Sequence, residues 1–141
     1  MVTHTTRVLV AGTFDRIHLG HESFLAQAKA LGDELVVIVS RDQTVQRLKG
    51  HAPQRSEMLR LAAVHALPMV SDAVLGSNSG DYLAPVVVLQ PDVLALGYDQ
   101  WPNEAQLRQQ LADRGLLAIR IVRLKPLEPD RYHSSLLQPE S

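Results

Sequence analysis

The chain has 141 residues, 45% of them hydrophobic and 21% charged, the balance expected of one ordinary globular domain with a single core. A formal net charge of -1 gives no argument for binding bulk nucleic acid or an acidic membrane surface. The lack of cysteine excludes a disulfide framework, a thiolate zinc site and a Cys nucleophile. The polar start MVTHTTR has no apolar signal core behind it, and no apolar run approaches the roughly 18 residues of a membrane span, so a cytoplasmic enzyme or binding domain is expected.

The apolar run over residues 8–11 reads as a buried strand, Gly12 breaks it, and an amphipathic helix is expected over 21–31 (HESFLAQAKAL). After the stop at Gly32-Asp33, residues 34–40 (ELVVIVS) form a second strand, apolar through its middle. A short helix then runs from Arg41-Asp42 to Leu48, with Lys49 in a loop over 49–53. The next helix covers 54–67 and is ended by Pro68. Residues 72–75 make a third strand, 76–80 a Gly/Ser turn, and Asp81 caps a helix to Leu89 that tolerates Pro85 only near its first turn. A fourth strand at 93–96, a polar helix over 103–114 stopped by Gly115, and a fifth strand at 116–124 follow. The tail holds Pro126, Pro129 and Pro139 and a short piece at 133–138. Apolar strands alternating with helices predict a five-stranded parallel sheet inside a Rossmann-like three-layer α/β/α sandwich with right-handed crossovers. Ligands of such sheets lie beyond the carboxyl ends of the strands, so Thr13, Ser40-Arg41, Gly76 and residues 97–99 should converge on one crevice.

The stretch 8–21, VLVAGTFDRIHLGH, has the strand, glycine turn and helix that place a phosphate at a helix N-terminus. It is neither a Walker A loop, whose terminal Lys and Ser/Thr are missing, nor a GxGxxG fingerprint. His18 and His21, three apart, leave metal ligation, general-base work and phosphate hydrogen bonding open. No HExxH pattern accompanies them, no metal-ligating set is expected, and phosphate suits the imidazoles best, because N–H donors stabilise charge that develops in a transition state. Thr13 and Phe14 can hold a ligand by backbone and hydroxyl or simply form a turn; Asp15 can face a metal or anchor its loop. No Ser-His-Asp triad or paired-carboxylate arrangement competes.

GTFDRIHLGH resembles the signature GTFDxxHxGH of the cytidylyltransferase-like nucleotidyltransferases. Through LGDELVVIVSRDQTVQRLKG, VLGS, PDVLALGYDQ and HSSLL the chain looks most like the archaeal-type FAD synthases among them. The resemblance implies that His18 and His21 contact nucleotide phosphates, that Gly20 leaves room for their approach, and that Gly12, Thr13, Phe14 and Asp15 belong to the nucleotide-binding turn. It also implies that Lys49 offsets substrate phosphate charge, and that Arg60, in EMLR, stands for the family's helix Arg. Asp99, in LGYDQ, would contact the nucleotide, and Ser134 and Ser135, in YHSS, would grip the triphosphate. The implied reaction is attack of an acceptor phosphate on the α-phosphate of a nucleoside triphosphate, with ATP as donor, FMN as acceptor, Mg²⁺ accompanying the triphosphate and a homodimer as the assembly. Two alternatives stay open: a glycerol-3-phosphate cytidylyltransferase using CTP, and a non-catalytic nucleotide-binding protein.

Overall fold

The computed structural model describes residues 4–98 and 100–126. Five strands form one all-parallel sheet in the order β3-β2-β1-β4-β5: β1 (Arg7–Gly12), β2 (Glu34–Val39), β3 (Asp72–Leu75), β4 (Val93–Leu96) and β5 (Arg120–Arg123). Between them run α1 (Leu19–Lys29), α2 (Asp42–Lys49), α3 (Glu57–His65), α4 (Ala84–Leu89) and α5 (Glu104–Asp113). None of these helices is long and apolar enough to cross a membrane.

Side chains alternate across a strand, and here both faces are apolar. Val8, Val10, Leu35, Val37, Val39, Val93 and Ala95 build a core with Leu25 and Ala28 of α1 and Val64 of α3. Leu9, Val36, Ile38, Leu94 and Leu96 point the other way and pack with Val86 of α4 and Leu107 and Leu111 of α5. The predicted three layers follow from this double covering. A strand apolar on both sides, however, gives little periodic signal for its register, since a one-residue slip exchanges one apolar face for the other. Polar bonds at the strand starts supply the missing information. Arg7 stands opposite Glu34 in the β1–β2 ladder and donates to it through Nε at 2.5 Å. The Asp92 carboxylate accepts from the Arg7 amide at 2.8 Å, and the Asp33 carboxylate from the Thr6 amide at 2.7 Å.

Several boundaries differ from the expectation. α1 starts at Leu19, ahead of His21, because the His18 side chain supplies its cap. Lys49 is the last residue of α2 rather than a loop residue, and Gly50, at φ 80, ends the helix in the left-handed region. α3 is shorter than 54–67, since Ser56 accepts from the Leu59 amide and begins the helix there. Asp81 accepts from the Leu83 amide, but α4 begins only at Ala84, with Pro85 in its first turn as required. β5 covers only Arg120–Arg123 of the predicted 116–124.

Candidate active site

Neighbours β2 and β4 flank β1, and the chain leaves β1 in one direction toward β2 and β3 and returns beyond it as β4 and β5. The carboxyl end of β1 is therefore the switch point where open parallel sheets bind ligands. Gly12 ends the strand, and a Cβ there would stand 2.7 Å from the Phe14 ring, which folds back beneath it. Phe14 takes a left-handed backbone (φ 53), is only 3% exposed, and lays its ring 5.2 Å from that of His21. Its side chain supports the histidine from below, so what it can offer a nucleotide is its backbone.

His18 caps α1 in place of the usual Ser, Thr or Asp. Its Nδ1 accepts from the Gly20 amide at 3.0 Å, while its own amide donates to His21 Nδ1 at 3.3 Å. With both Nδ1 atoms accepting, the neutral tautomer of each ring carries its proton on Nε2. The rings stack at 4.0 Å with 27° between their planes. Nε2 of His18 is enclosed and meets no hydrogen-bond acceptor among the described residues, a deficit that a ligand oxygen would make good. Gly20 is needed for this pairing: a Cβ there would lie 2.8 Å from His18 Cε1. The turn thus presents imidazole N–H groups at the positive end of a helix dipole.

Asp15 resolves the choice left open for it. Its carboxylate accepts from the amides of Gln54 and Arg55, at 2.7 and 2.9 Å, and so anchors the connection between α2 and α3. Burial pushes its pKa up, but those two amides, with Arg60 and Lys49, more than offset this and hold it below the ordinary carboxylate range. Lys49 itself is exposed, with its charge close enough to act on Asp15.

Arg60, expected at the nucleotide, is engaged inside the protein. It is 0% exposed. It donates to the carbonyls of Arg55 (2.9 Å), Thr13 (2.9 Å) and Ser40 (2.7 Å) and pairs with Asp42 at 2.7 Å. A planar fork with five donors can join the ends of β1 and β2 and the start of α2 at once. Thr13, also buried, is held by that bond.

Arg41, and with it Glu57, Gln100 and Arg123, which were not singled out from the sequence, extend this stitching along the rim. Arg41 Nε donates to the Gly76 carbonyl at 2.7 Å, tying β2 to β3, and Glu57 accepts from the Asp42 amide at 2.8 Å. Gln100 bridges β4 to β1, accepting from the Gly97 amide at 2.8 Å and donating to the Ala11 carbonyl at 3.2 Å. Arg123 of β5 donates to the carbonyls of Gly97 (3.0 Å), Trp101 (2.7 Å) and Gln100. No local pattern marks these side chains, since their partners lie up to 89 residues away. The expected convergence of Thr13, Ser40-Arg41, Gly76 and Gly97 on one rim is what these bonds bring about; Asp99, Ser134 and Ser135 lie outside the described residues.

The model of the Cytidylyltransferase-like family matches residues 9–137. The FAD synthase of Methanothrix thermoacetophila is 48% identical over 132 residues, spanning 92% of this chain and 88% of its own. That of Methanosarcina barkeri is 50% identical over 115 residues, 80% of this chain and 79% of its own. The crystal structure of the lipopolysaccharide core biosynthesis protein from Thermoplasma volcanium is similar with a TM-score of 0.83 at 41% identity, covering 89% of this chain and all of that one. Signature, sheet order and relatives agree, and the chain belongs to the cytidylyltransferase-like family of nucleotidyltransferases.

Proposed function

We propose that the chain transfers AMP from ATP to FMN, producing FAD and pyrophosphate. The observation that carries the reading is the imidazole pair at the head of α1, its Nδ1 atoms taken by backbone amides and its Nε2 atoms left as the proton-bearing positions. The name FAD synthase, borne by relatives 48% and 50% identical over most of the chain, supports ATP and FMN as the substrates. In the reaction an oxygen of the FMN phosphate forms a bond to the α-phosphorus of ATP, and the bond from that phosphorus to the β-bridging oxygen breaks. Pyrophosphate leaves with the electron pair. The acceptor needs no activating base, because a phosphomonoester is largely doubly ionised at neutral pH, its second pKa being about 6. What the protein must do is align two like-charged phosphates and stabilise the charge that grows on the transferring group and the leaving oxygen. His18 and His21 donate hydrogen bonds there, the α1 amides add their dipole, and Lys49 offsets the charge of the incoming phosphate. Asp99, Ser134 and Ser135 complete the grip on the nucleotide in this reading.

The described residues do not build a cage for a resident divalent cation. No three His, Cys, Asp or Glu side chains gather among them, and the Asp15 carboxylate already serves two amides. Mg²⁺ belongs to the reading as part of the substrate, MgATP, bound through phosphate oxygens. A homodimer is also part of it, supported by the exposed Met58 and Leu59 on the first turn of α3 and tested by sedimentation.

The deciding experiment measures pyrophosphate release with Mg²⁺, crossing ATP and CTP against FMN and glycerol-3-phosphate. Release with ATP and FMN alone, with FAD identified by chromatography, is the expected result. Release with CTP and glycerol-3-phosphate alone would overturn the substrates, and release with no pair would overturn the reaction.

A further inference from the structure

We infer that Tyr82 and Trp101 form the wall that recognises the flat ring system of the acceptor, an inference that rests on the flavin reading above. A flavin must be read at both ends. Its phosphate can be held by charge and N–H donors, but the dimethylbenzene edge of isoalloxazine offers no donor or acceptor and is recognised only by apolar or aromatic surface.

The chain has little such surface: one Trp, three Tyr and two Phe. Phe14 is buried under His21 and Phe24 packs against the core on the α1 face. Tyr132 lies outside the described residues. The remaining three, Tyr82, Tyr98 and Trp101, all stand in loops that follow the carboxyl ends of β3 and β4, at the rim where a ligand binds.

Two of them form a built pair. The Tyr82 and Trp101 rings meet edge to face, 4.9 Å between centroids and 62° between planes, although they stand in different loops. Each is fixed independently. The Tyr82 hydroxyl donates to Gln110 of α5 at 2.9 Å, and the neighbouring Asp81 takes a two-pronged ion pair from Arg114 at 2.8 and 2.9 Å. Trp101 sits in the left-handed backbone region (φ 47), which a bulky residue adopts only when its surroundings impose it; here Arg123 holds its carbonyl. Despite these anchors Tyr82 remains 53% exposed. An aromatic pair held rigid, against backbone preference, with a ring still open to solvent is prepared for another ring.

Its place in the fold suits that role. Trp101 packs against the core face covered by α4 and α5, whereas His18 and His21 head α1 on the opposite face. β1 and β4 are neighbours in the sheet, so the loop that carries Trp101 follows the strand next to the one that leads to the histidines. Adenine and the pyrimidine end of isoalloxazine both have hydrogen-bonding edges that loop backbone can read; the dimethylbenzene end has none and depends on apolar or aromatic contact.

The test uses the full chain with Trp101→Leu, Tyr82→Leu and Trp101→Phe, folding being checked by circular dichroism. Emission of FMN is followed as protein is added, and KM for FMN and for ATP are measured separately. Flavin emission should fall on binding to the unsubstituted chain. Each Leu variant should lose that quenching and raise KM for FMN on the order of tenfold or more while leaving KM for ATP in place. Trp101→Phe, which keeps a ring, should recover most of the affinity; if Trp101→Leu does not fold, Tyr82→Leu at an exposed position carries the test. A rise in KM for ATP instead would assign the wall to adenine and overturn the inference. So would unchanged KM and quenching in folded Leu variants that still make FAD, with the flavin reading intact. Failure of the unsubstituted chain to bind FMN or make FAD would overturn that reading itself.

Discussion

The two ends of the sheet differ in what their charged groups hold. At the amino ends of the strands, carboxylates gather the partners: Glu34 takes Arg7, Asp92 takes His4 at 2.7 Å, and Asp33 and Asp92 accept from backbone amides. The Arg7 amide and His4 hold the Asp92 carboxyl below its ordinary range. At the carboxyl ends, Arg41, Arg60 and Arg123 each pair with a carboxylate, Glu57, Asp42 and Glu104, and in addition direct their guanidinium groups at the backbone carbonyls of the strand ends. The difference follows from the direction of the chain. Parallel strands end in carbonyl oxygens, which repel an anionic ligand, and each carbonyl taken by an arginine has its lone pairs turned inward and its partial charge offset. On the proposed reading the ligand meets N–H instead, at the head of α1 and at the Nε2 atoms of its two histidines. One end closes the sheet and sets its register; the other, on that reading, receives phosphate.

This contrast can be broken at four points, in falling order of effect. On the proposed reading His18→Ala removes a donor that acts on the reacting phosphates, and kcat for pyrophosphate release should fall roughly 10²- to 10³-fold, the loss typical of one oxyanion donor. The same change removes the cap of α1, so urea unfolding should show a loss of about 1 kcal/mol, too small to account for the fall in kcat. Arg60→Met leaves the carbonyls of Thr13, Ser40 and Arg55 buried without a donor; urea unfolding should show a loss of about 3 kcal/mol, and Arg60→Lys should not restore it, since a point charge cannot span the same partners.

Asp15→Asn tests the anchored loop through pH. The folded carboxyl lies below its ordinary value, so its contribution is fully present above the unfolded value of about 3.9 and is lost as pH falls through the folded one. The stability gap between the two proteins should therefore be constant near neutrality and close below about pH 4, as followed by denaturation at several pH values. A gap that persists unchanged into acid would place its origin in packing instead. Glu34→Gln, at the amino end, removes a partly exposed ion pair; it should shift stability by less than about 1 kcal/mol and leave turnover unchanged. A large loss of turnover there would dissolve the distinction between the two ends.

Much of this architecture was legible residue by residue. The strands at 72–75 and 93–96 were read with their observed bounds, because Pro68 and Pro91-Asp92 interrupt the preceding pattern and the apolar runs are short. The histidine turn was legible too, as its parts lie within ten residues and depend on local geometry. Lys49 was misplaced by one helical residue, since only the left-handed Gly50 shows where α2 ends. Arg60 shows the harder limit. An Arg on a helix of mixed polarity reads as solvent-facing or ligand-facing, and nothing near it signals that Thr13 and Ser40, 47 and 20 residues away, will bring their carbonyls to it.

The sequence by itself therefore determined the strand-helix alternation and the histidine turn that heads α1, because these rest on contacts a few residues long. The tertiary structure decided which arginines are drawn inward to carbonyls, the anchoring of Asp15 to the amides of Gln54 and Arg55, and the meeting of Tyr82 with Trp101. Each of those is a pairing across the sheet's rim. A side chain carries its charge or ring in its own chemistry, but its partner is supplied only when distant strand ends are brought to the same edge.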